Sequence, residues 1–247
     1  MLGDLGDDAK VLAGGQSLLP LLSMRLAAPR HVVDINRLSE LAYVRTSADG
    51  VRVGATARHA DLEHDSDAAR SHPLLQRAVR LIAHPTIRNR GTVVGSLVHA
   101  DPAAELPAVL ALLDGTVRVA SVRGTREIAA REFFRGMLES ALRPGELAVE
   151  AFFPALPPDS RTSIVEVARR HGDYALCGVC AVRSRERARV ALLSVAPTPV
   201  VLDVPDVADA AELARSSVHP TPDIHASADY RRHLAGLLTE RALREAA

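Results

Sequence analysis

Two glycine-containing stretches carry residue types that bind phosphate. The first is Ala13-Gly14-Gly15-Gln16-Ser17, between a short apolar stretch and a segment with helix-like spacing. Glycine lets a backbone approach a ligand closely, and free N–H groups at a helix N-terminus attract an anion by about 0.3–1 kcal/mol for each charge contact. A simple tight turn explains the same glycines. The spacing is neither G-x-G-x-x-G nor a P-loop, which argues against a nucleotide triphosphatase.

The second stretch, residues 88–107, combines glycines, hydroxyls and carboxylates. Thr92 and Ser96 offer donors to phosphate oxygens, and Asp101 or Glu105 offers an acceptor to ribose hydroxyls. The same residues also fit the start of a helix that Asp101 caps, with Pro102 just inside it. The two interpretations are compatible, so this stretch is a candidate for a second phosphate-and-sugar loop.

Cysteine and histidine spacing does not predict a metal site. Cys177 and Cys180 form a C-x-x-C pair, but they lie in an apolar strand and no further ligands follow at zinc spacing. Alternate strand residues face opposite ways, so we predict two buried structural cysteines. His59 and His64 lie five residues apart without an H-E-x-x-H pattern, and we interpret the ten histidines as surface or capping residues. No residue is predicted to be catalytic.

Composition is that of an ordinary globular chain. Of 247 residues, 47% are hydrophobic and 24% charged, and 30 basic residues balance 30 acidic ones, so we expect no nucleic-acid partner. The longest apolar stretches are far shorter than the roughly 20 residues of a membrane helix, and the first ten residues do not resemble a secretory signal. We therefore expect a cytoplasmic protein. Its two cysteines are too few for an iron–sulfur cluster, which needs about four thiolates.

Hydrophobic periodicity predicts a mixture of strands and helices in two parts. Pro154, Pro157 and Pro158 mark the boundary, which divides the chain into residues 1–156 and 157–247. The first part is predicted to have strands at 10–13, 31–35, 51–55, 116–120 and 147–153 and helices at 17–26, from a Ser71 cap to about 84, and at 131–138. The second part is predicted to have strands at 163–169, 176–182 and 190–195, and a last helix from about 228.

Four motifs together resemble a known family. AGGQSLLPLL, IRNRGTVVGSLVHADPAAELP, ARRHGDYAL and DIHASADYRR occur in this order and resemble the FAD-binding medium subunit of the molybdenum hydroxylases, the carbon monoxide dehydrogenase and xanthine dehydrogenase family. The resemblance covers nearly the whole chain. It implies an α+β fold, with a two-part FAD-binding α/β domain of the vanillyl-alcohol-oxidase-like (PCMH) type at 1–156. A small C-terminal domain of antiparallel sheet and helices follows at 157–247.

The same resemblance implies positions for the FAD contacts. The first pyrophosphate loop is Ala13, Gly14, Gly15, Gln16, Ser17 and Leu18, and the second is Thr92, Val93, Val94, Gly95 and Ser96. Further contacts are implied for Ile82 (flavin pocket), His99 and Asp101 (beyond the phosphates), Glu105 (adenosine side), Val149 (near the adenine), Glu166 (near the flavin) and Tyr174 (against the isoalloxazine ring). Without its motif, Tyr174 would be interpreted as a half-buried strand residue.

Departures from the family pattern qualify these implications. Relatives usually have glycine at Val94 and asparagine at Ser96, so we expect a less open second loop and weaker FAD binding. Many have a lysine near the flavin at about the position of Glu166, where this chain has an acid, so that contact is the least secure. Relatives also carry a strand and a helix before the first glycine loop, so we expect this chain to be truncated or to start late.

The resemblance implies a cofactor-binding subunit of a larger complex. A molybdenum-cofactor large subunit and a 2Fe-2S small subunit are the implied partners, in a dimer of heterotrimers. The FAD of this chain would take electrons from the iron–sulfur subunit and pass them to NAD, a quinone or oxygen. Two alternatives stay open at this point: a stand-alone flavoprotein oxidoreductase, and a structural subunit that has lost FAD.

Overall fold

The computed structural model describes residues 2–247, and a small parallel unit comes first in the chain. Strand β1 (Ala9–Leu12) pairs in parallel with β2 (His31–Asp34), and the connection between them contains helix α2 (Leu18–Ser23). Parallel neighbours need such a crossover. The unit places Gly14-Gly15 at the carboxyl end of β1, facing the helices that follow. Helix α1 (Leu2–Leu5) precedes it.

A five-stranded antiparallel sheet supports the first part of the chain. Its spatial order is β3-β4-β9-β5-β6, in which β3 is Val44–Ser47, β4 Gly50–Gly54, β5 Thr116–Ser121, β6 Gly124–Ala129 and β9 Leu147–Pro154. The small hairpin β7 (Phe134–Gly136) and β8 (Glu139–Ser140) lies between β6 and β9 in the chain. Val51, Val53 and Phe153 are fully buried, because alternate residues of β4 and β9 face the helices.

Short helices pack on this sheet. They are α3 (His59–His64), α4 (Ser66–Ser71), α5 (Pro73–Leu81), α6 (Pro85–Arg88), α7 (Val93–His99), α8 (Glu105–Leu112) and α9 (Ala130–Phe133). In α5 the residues Leu74, Leu75, Ala78 and Val79 are fully buried, as three- and four-residue spacing predicts. α7 contacts β4 and β9, so the second glycine stretch lies directly on the sheet.

The second part is a four-stranded antiparallel sheet covered by helices. Its order is β10-β11-β12-β13, with β10 at Arg161–Ala168, β11 at Ala175–Arg183, β12 at Ala188–Leu193 and β13 at Val200–Val204. Helices α10 (Ala210–Ser217) and α11 (Ala228–Glu245) pack on one face. This arrangement, with the five-stranded sheet, confirms the predicted α+β class.

Helix α8 joins the two parts into one core. Residues 106–112 are all buried, and the helix contacts α5 and α7 on one side and β11, β12 and β13 on the other. Cys180 and Leu193 of the second part lie in the same hydrophobic cluster as Leu110 of α8. A helix that is apolar all round is expected where it packs on both sides.

Three predicted helices need correction. Ser71 is the last residue of α4 and does not cap α5, which starts at Pro73 because proline suits the first helical position. The helix predicted at 131–138 stops at Phe133, where the chain enters β7. The helix predicted at 17–26 ends at Ser23.

Candidate functional site

The backbone of the first glycine stretch touches that of the second. A Cβ atom on Gly14 would overlap the carbonyl oxygen of Arg90 and lie 2.7 Å from the Cα of Gly91, so only glycine fits there. Gly15 has φ +75°, a conformation that glycine adopts freely. The Gly-Gly pair is therefore more than a turn, because it brings residues 13–18 against residues 90–96.

A polar network that sequence reasoning missed holds these two segments together. The Asn36 amide nitrogen donates to the Ala13 carbonyl oxygen at 2.8 Å, and Arg58 donates to the Asn36 amide oxygen at 2.7 Å. The other terminal nitrogen of Arg58 donates to the Arg90 carbonyl oxygen at 2.6 Å. Asn36 follows a strand parallel to the one before Gly14, which is the only signal for it in the sequence.

Thr92 begins the helix of the second stretch. Its hydroxyl accepts from the Gly95 N–H at 3.1 Å, as an N-cap residue does. Residues 93–96 are thus the first turn of α7, in which the Val93 N–H donates to the Ala57 carbonyl oxygen at 3.2 Å. This leaves the Val94 N–H as the free donor of the turn within residues 2–247. Gly95 has no room for a Cβ, because the Thr92 hydroxyl oxygen occupies that space.

Val93 and Val94 contribute only backbone to this turn. Their side chains are 0% and 2% exposed and pack in the hydrophobic core. Val94 therefore does not narrow the ligand side of the turn, contrary to the expectation drawn from its usual glycine. Ser96 is half-buried, as are Gln16, Ser17 and Leu18 of the first stretch. The Gln16 side chain donates to the Gly14 carbonyl oxygen at 3.1 Å.

A buried ion pair shapes the turn that presents Ile82. Arg88 and Glu63 pair through two contacts of 2.7 and 3.2 Å, and the Arg88 Nη1 donates to the Ile82 carbonyl oxygen at 3.0 Å. Ala83 has φ +44°, which an alanine adopts only when its surroundings impose it. Ile82 is half-buried at the end of α5.

The Tyr174 motif packs against this turn. Gly172 has φ +85°, and a Cβ there would lie 2.6 Å from the His84 ring. The His84 and His171 rings meet edge to face, with 5.9 Å between their centroids. Gly172 therefore places the Tyr174 segment next to residues 82–84, and Tyr174 itself is 69% exposed.

Carboxyl groups gather beside Tyr174. Burial, and then the neighbouring Glu166 charge, raises the pKa of Glu105 to about 8, while burial raises the pKa of Glu166 to about 7. The pKa of Tyr174 is raised by partial burial and by the nearby Asp101 and Glu105 carboxylates. The Glu166 Oε2 atom is buried without a hydrogen-bond partner in residues 2–247. These groups form one acidic cluster where α8 meets the second sheet.

The segment between the second stretch and α8 differs from the predicted cap. Asp101 accepts from the Ala103 N–H at 2.8 Å and closes a turn, whereas the N-cap of α8 is Ala104. His99 is the last residue of α7, and Ala100 reverses the chain with φ +52°. Asp101 therefore does not cap the helix.

Val149 lies on a β-bulge of β9. Its neighbours Ala148 and Glu150 pair with Val119 and Arg118, which leaves Val149 unpaired with β5. Its carbonyl oxygen accepts from the Ala55 N–H at 3.0 Å. Bulges re-aim side chains, and Val149 is half-buried at this one.

The interpretation as surface or capping residues is wrong for His59, whereas His72 takes the N-cap position of α5 but is not a surface residue. Both are buried, and burial lowers the pKa of His59 to about 4. His59 packs beneath the second stretch, where its Nδ1 would lie 2.9 Å from a Cβ on Gly91. His64 is exposed as expected.

The cysteine prediction is confirmed. Both thiols are free and buried, and they lie in different hydrophobic clusters on opposite faces of β11. Across residues 2–247 no three His, Cys, Asp or Glu side chains are grouped to hold a metal ion. In the same range no helix is long and apolar enough to span a membrane.

The joined glycine stretches fit a dinucleotide phosphate site. Gly14 and Gly95 leave no space for a side chain, which lets the two backbone segments pack closely, and Ser17 and Ser96 add half-buried hydroxyl donors. Tyr174 and the protonatable Glu105 and Glu166 of the acidic cluster can donate or accept hydrogen bonds. The residues present therefore suit FAD.

Comparisons with known proteins agree with this geometry. The family model described as the FAD binding domain in molybdopterin dehydrogenase matches residues 1–156. Subunit alpha of the 6-hydroxypseudooxynicotine dehydrogenase complex of Paenarthrobacter nicotinovorans is 41% identical over 264 residues, covering 100% of this chain and 89% of the relative. The carbon monoxide dehydrogenase medium chain of Hydrogenophaga pseudoflava is 35% identical over 264 residues, covering 100% and 92%.

The fold has solved counterparts. Quinoline 2-oxidoreductase from Pseudomonas putida 86 superposes with a TM-score of 0.91 at 37% identity, over 97% of this chain and 90% of that one. Carbon monoxide dehydrogenase from Hydrogenophaga pseudoflava gives a TM-score of 0.92 at 34% identity, over 99% and 91%.

Proposed function

Because the chain belongs to the family of FAD-binding domains in molybdopterin dehydrogenases, we propose that its FAD takes electrons from an iron–sulfur subunit and passes them to an external acceptor. The observation that carries this proposal is the contact between Gly14 and the backbone of Arg90 and Gly91. It places the first glycine turn against the backbone that leads into α7, so that N–H groups of both segments can face one pyrophosphate group.

Backbone groups provide most of the proposed contacts to the pyrophosphate. Residues 13–18 and the first turn of α7 hold the pyrophosphate, with Ser17, Thr92 and Ser96 adding hydroxyls. Arg58 is bonded to Asn36 and to the Arg90 carbonyl oxygen, so it fixes the distance between the two turns. Its positive charge also favours the phosphates.

The flavin end lies at the acidic cluster. We place the isoalloxazine ring near Ile82 and Tyr174, and His99 and Asp101 between it and the phosphates. Glu105 interacts electrostatically with both Tyr174 and Glu166, so we place it on this side instead of the adenosine side. Val149 stays near the adenine. FAD supplies the redox chemistry when bound, and the protein orients it and controls access.

The complex that we propose contains two further subunits. A molybdenum-cofactor large subunit oxidises the substrate and a 2Fe-2S small subunit relays electrons, in a dimer of heterotrimers in the cytoplasm. Both cysteines of this chain are buried on opposite strand faces, and a 2Fe-2S cluster needs about four thiolates. The clusters therefore belong to another chain.

The alternatives have less support. A structural subunit without FAD was suggested by Val94 and Ser96 among other departures, but the Val94 side chain is buried in the core and Ser96 still offers a hydroxyl donor. A stand-alone oxidoreductase would need a substrate-activating base in a pocket, whereas two surface pockets, one lined by residues 159–161 and 183–185 and one by Arg183, Glu240 and Arg244, include no residue of the glycine turns.

Purification with co-expressed partner subunits tests the proposal. We expect one FAD per chain in the visible spectrum, with molybdenum and iron in the same complex, and flavin bleaching after substrate is added. Reoxidation by NAD, a quinone or oxygen identifies the acceptor. A complex with FAD but neither molybdenum nor iron would overturn the assembly, and a colourless chain in the complete complex would overturn FAD binding.

A further inference from the structure

The DIHASADYRR motif lies outside the FAD turns, yet it contains a buried arginine. Arg231 of α11 is 6% exposed. Its Nη1 donates to the Leu176 carbonyl oxygen at 2.5 Å and to the Ser194 carbonyl oxygen at 3.0 Å, and its Nη2 pairs with the Asp223 carboxylate at 2.6 Å. A guanidinium in this position costs free energy to desolvate unless its donors are used.

Other residues of the motif fix the position of this arginine. Asp223 also accepts from the N–H groups of His225 and Ala226 at 2.8 and 2.9 Å, which holds its carboxylate in a turn. Ser227 caps α11 by accepting from the Tyr230 N–H. Turn and cap together fix Arg231 one turn into the helix, opposite the end of β12.

Ser194 connects Arg231 to the flavin side of the site. It follows β12 with φ +65°, a conformation that serine rarely adopts. Its N–H donates to the Pro102 carbonyl oxygen at 2.7 Å, and its hydroxyl donates to the Ala175 carbonyl oxygen at 2.5 Å. Pro102 adjoins Asp101, and Ala175 adjoins Tyr174.

We propose that Arg231 is a positioning residue for the flavin site. By holding Ser194 in its left-handed conformation, it sets the separation between the Asp101 and Tyr174 segments and hence the shape of the isoalloxazine pocket. This inference rests on the proposed function. Lysine would keep the charge but lacks the fork that reaches two carbonyl oxygens and a carboxylate at once.

The test compares Arg231→Lys with Arg232→Lys in the full chain. Arg232 is the next residue of the same helix, but it is solvent-exposed and pairs with the exposed Asp229. We expect Arg231→Lys to raise the Kd for FAD about tenfold, to increase iodide quenching of flavin fluorescence and to change the visible circular dichroism of the flavin. Arg232→Lys should match the wild type in all three measurements.

A second variant guards against loss of folding. Ser194→Gly keeps the left-handed backbone and the N–H to Pro102 but removes the hydroxyl that bonds Ala175. It should increase iodide quenching while the melting temperature stays near that of the wild type. Unchanged quenching and FAD affinity in both variants, even with a lower melting temperature, would overturn the positioning role. A complete complex in which the wild-type chain binds no FAD would instead contradict the proposed function.

Discussion

Gly14 packs against the carbonyl oxygen of Arg90 so closely that no side chain fits between the two glycine turns. Gly14→Ala must therefore push the first turn away from α7 and separate the N–H groups that we propose to bind the pyrophosphate. We expect loss of most bound FAD, measured as the flavin-to-protein absorbance ratio after purification.

Gly136→Ala is the matched control for this change. A Cβ at Gly136 makes only an ordinary 3.4 Å contact with the Glu139 side chain, and the backbone there needs no positive φ. Normal FAD content in Gly14→Ala would show that the contact between the turns does not organise the site.

Breaking the Arg88–Glu63 pair should lower the free energy of unfolding. Both side chains are largely buried, at 9% and 14% exposure, and Arg88→Met leaves the Glu63 carboxylate without its partner. Removing one member of a buried pair costs about 3–5 kcal/mol, which urea denaturation measures. Arg70→Met, in the exposed pair with Asp67, should cost under about 1 kcal/mol. If both variants lost a similar free energy of unfolding, burial of the Arg88–Glu63 pair would not determine its contribution to stability.

The acidic cluster should make stability depend on pH. The folded-state pKa values of Glu105 and Glu166, about 8 and 7, lie above the ordinary 4.5, so the folded chain binds more protons than the unfolded chain between these limits. The free energy of unfolding should therefore fall as pH rises from about 4.5 to 8. Glu166→Gln should flatten this decline.

The comparison with wild type isolates the effect of Glu166. The pKa of His59 is lowered to about 4, which acts in the opposite direction below pH 6.5, but that contribution is common to both proteins. Glu132→Gln changes an exposed carboxylate and should leave the slope as it is. An identical slope in Glu166→Gln would show that this carboxyl group ionises normally.

The two cysteines should be inert in the folded chain. Burial raises the pKa of Cys177 to about 12 and raises that of Cys180 as well, so neither thiol is ionised near pH 8. An aromatic disulfide reagent should release no chromophore from native protein and two equivalents after denaturation. Rapid release of one equivalent from native protein would mean that β11 is exposed.

Local pattern predicted the strands well where burial is continuous. The apolar run predicted at 176–182 became β11 (Ala175–Arg183), and the stretch at 10–13 became β1 (Ala9–Leu12). Helix starts were less predictable, because several neighbouring residues have types that suit the N-cap or first helical position. Ser71 is a good cap by type, yet Asp65 caps α4 and Pro73 starts α5 two residues after Ser71.

The parts of the site that could not be predicted depend on contacts between distant residues. Arg58 and Arg90 are 32 residues apart, and Arg231 and Ser194 are 37 apart, so no local spacing links them. The burial of His59 follows from the packing of α3 beneath Gly91, which no periodicity shows. By contrast, the glycines were predictable because few other residues suit the backbone contacts they make.

Helix α8, packed on both sides, has a consequence for how this protein can evolve. Substitutions in residues 106–112 change its fit to α5 and to β12 together, so the two parts cannot drift apart independently. Chimeras that exchange the segment after Pro154 between relatives should fail to fold stably unless the α8 residues are exchanged as well. New partners would then be accommodated by surface loops, while the central helix keeps its fit to both parts.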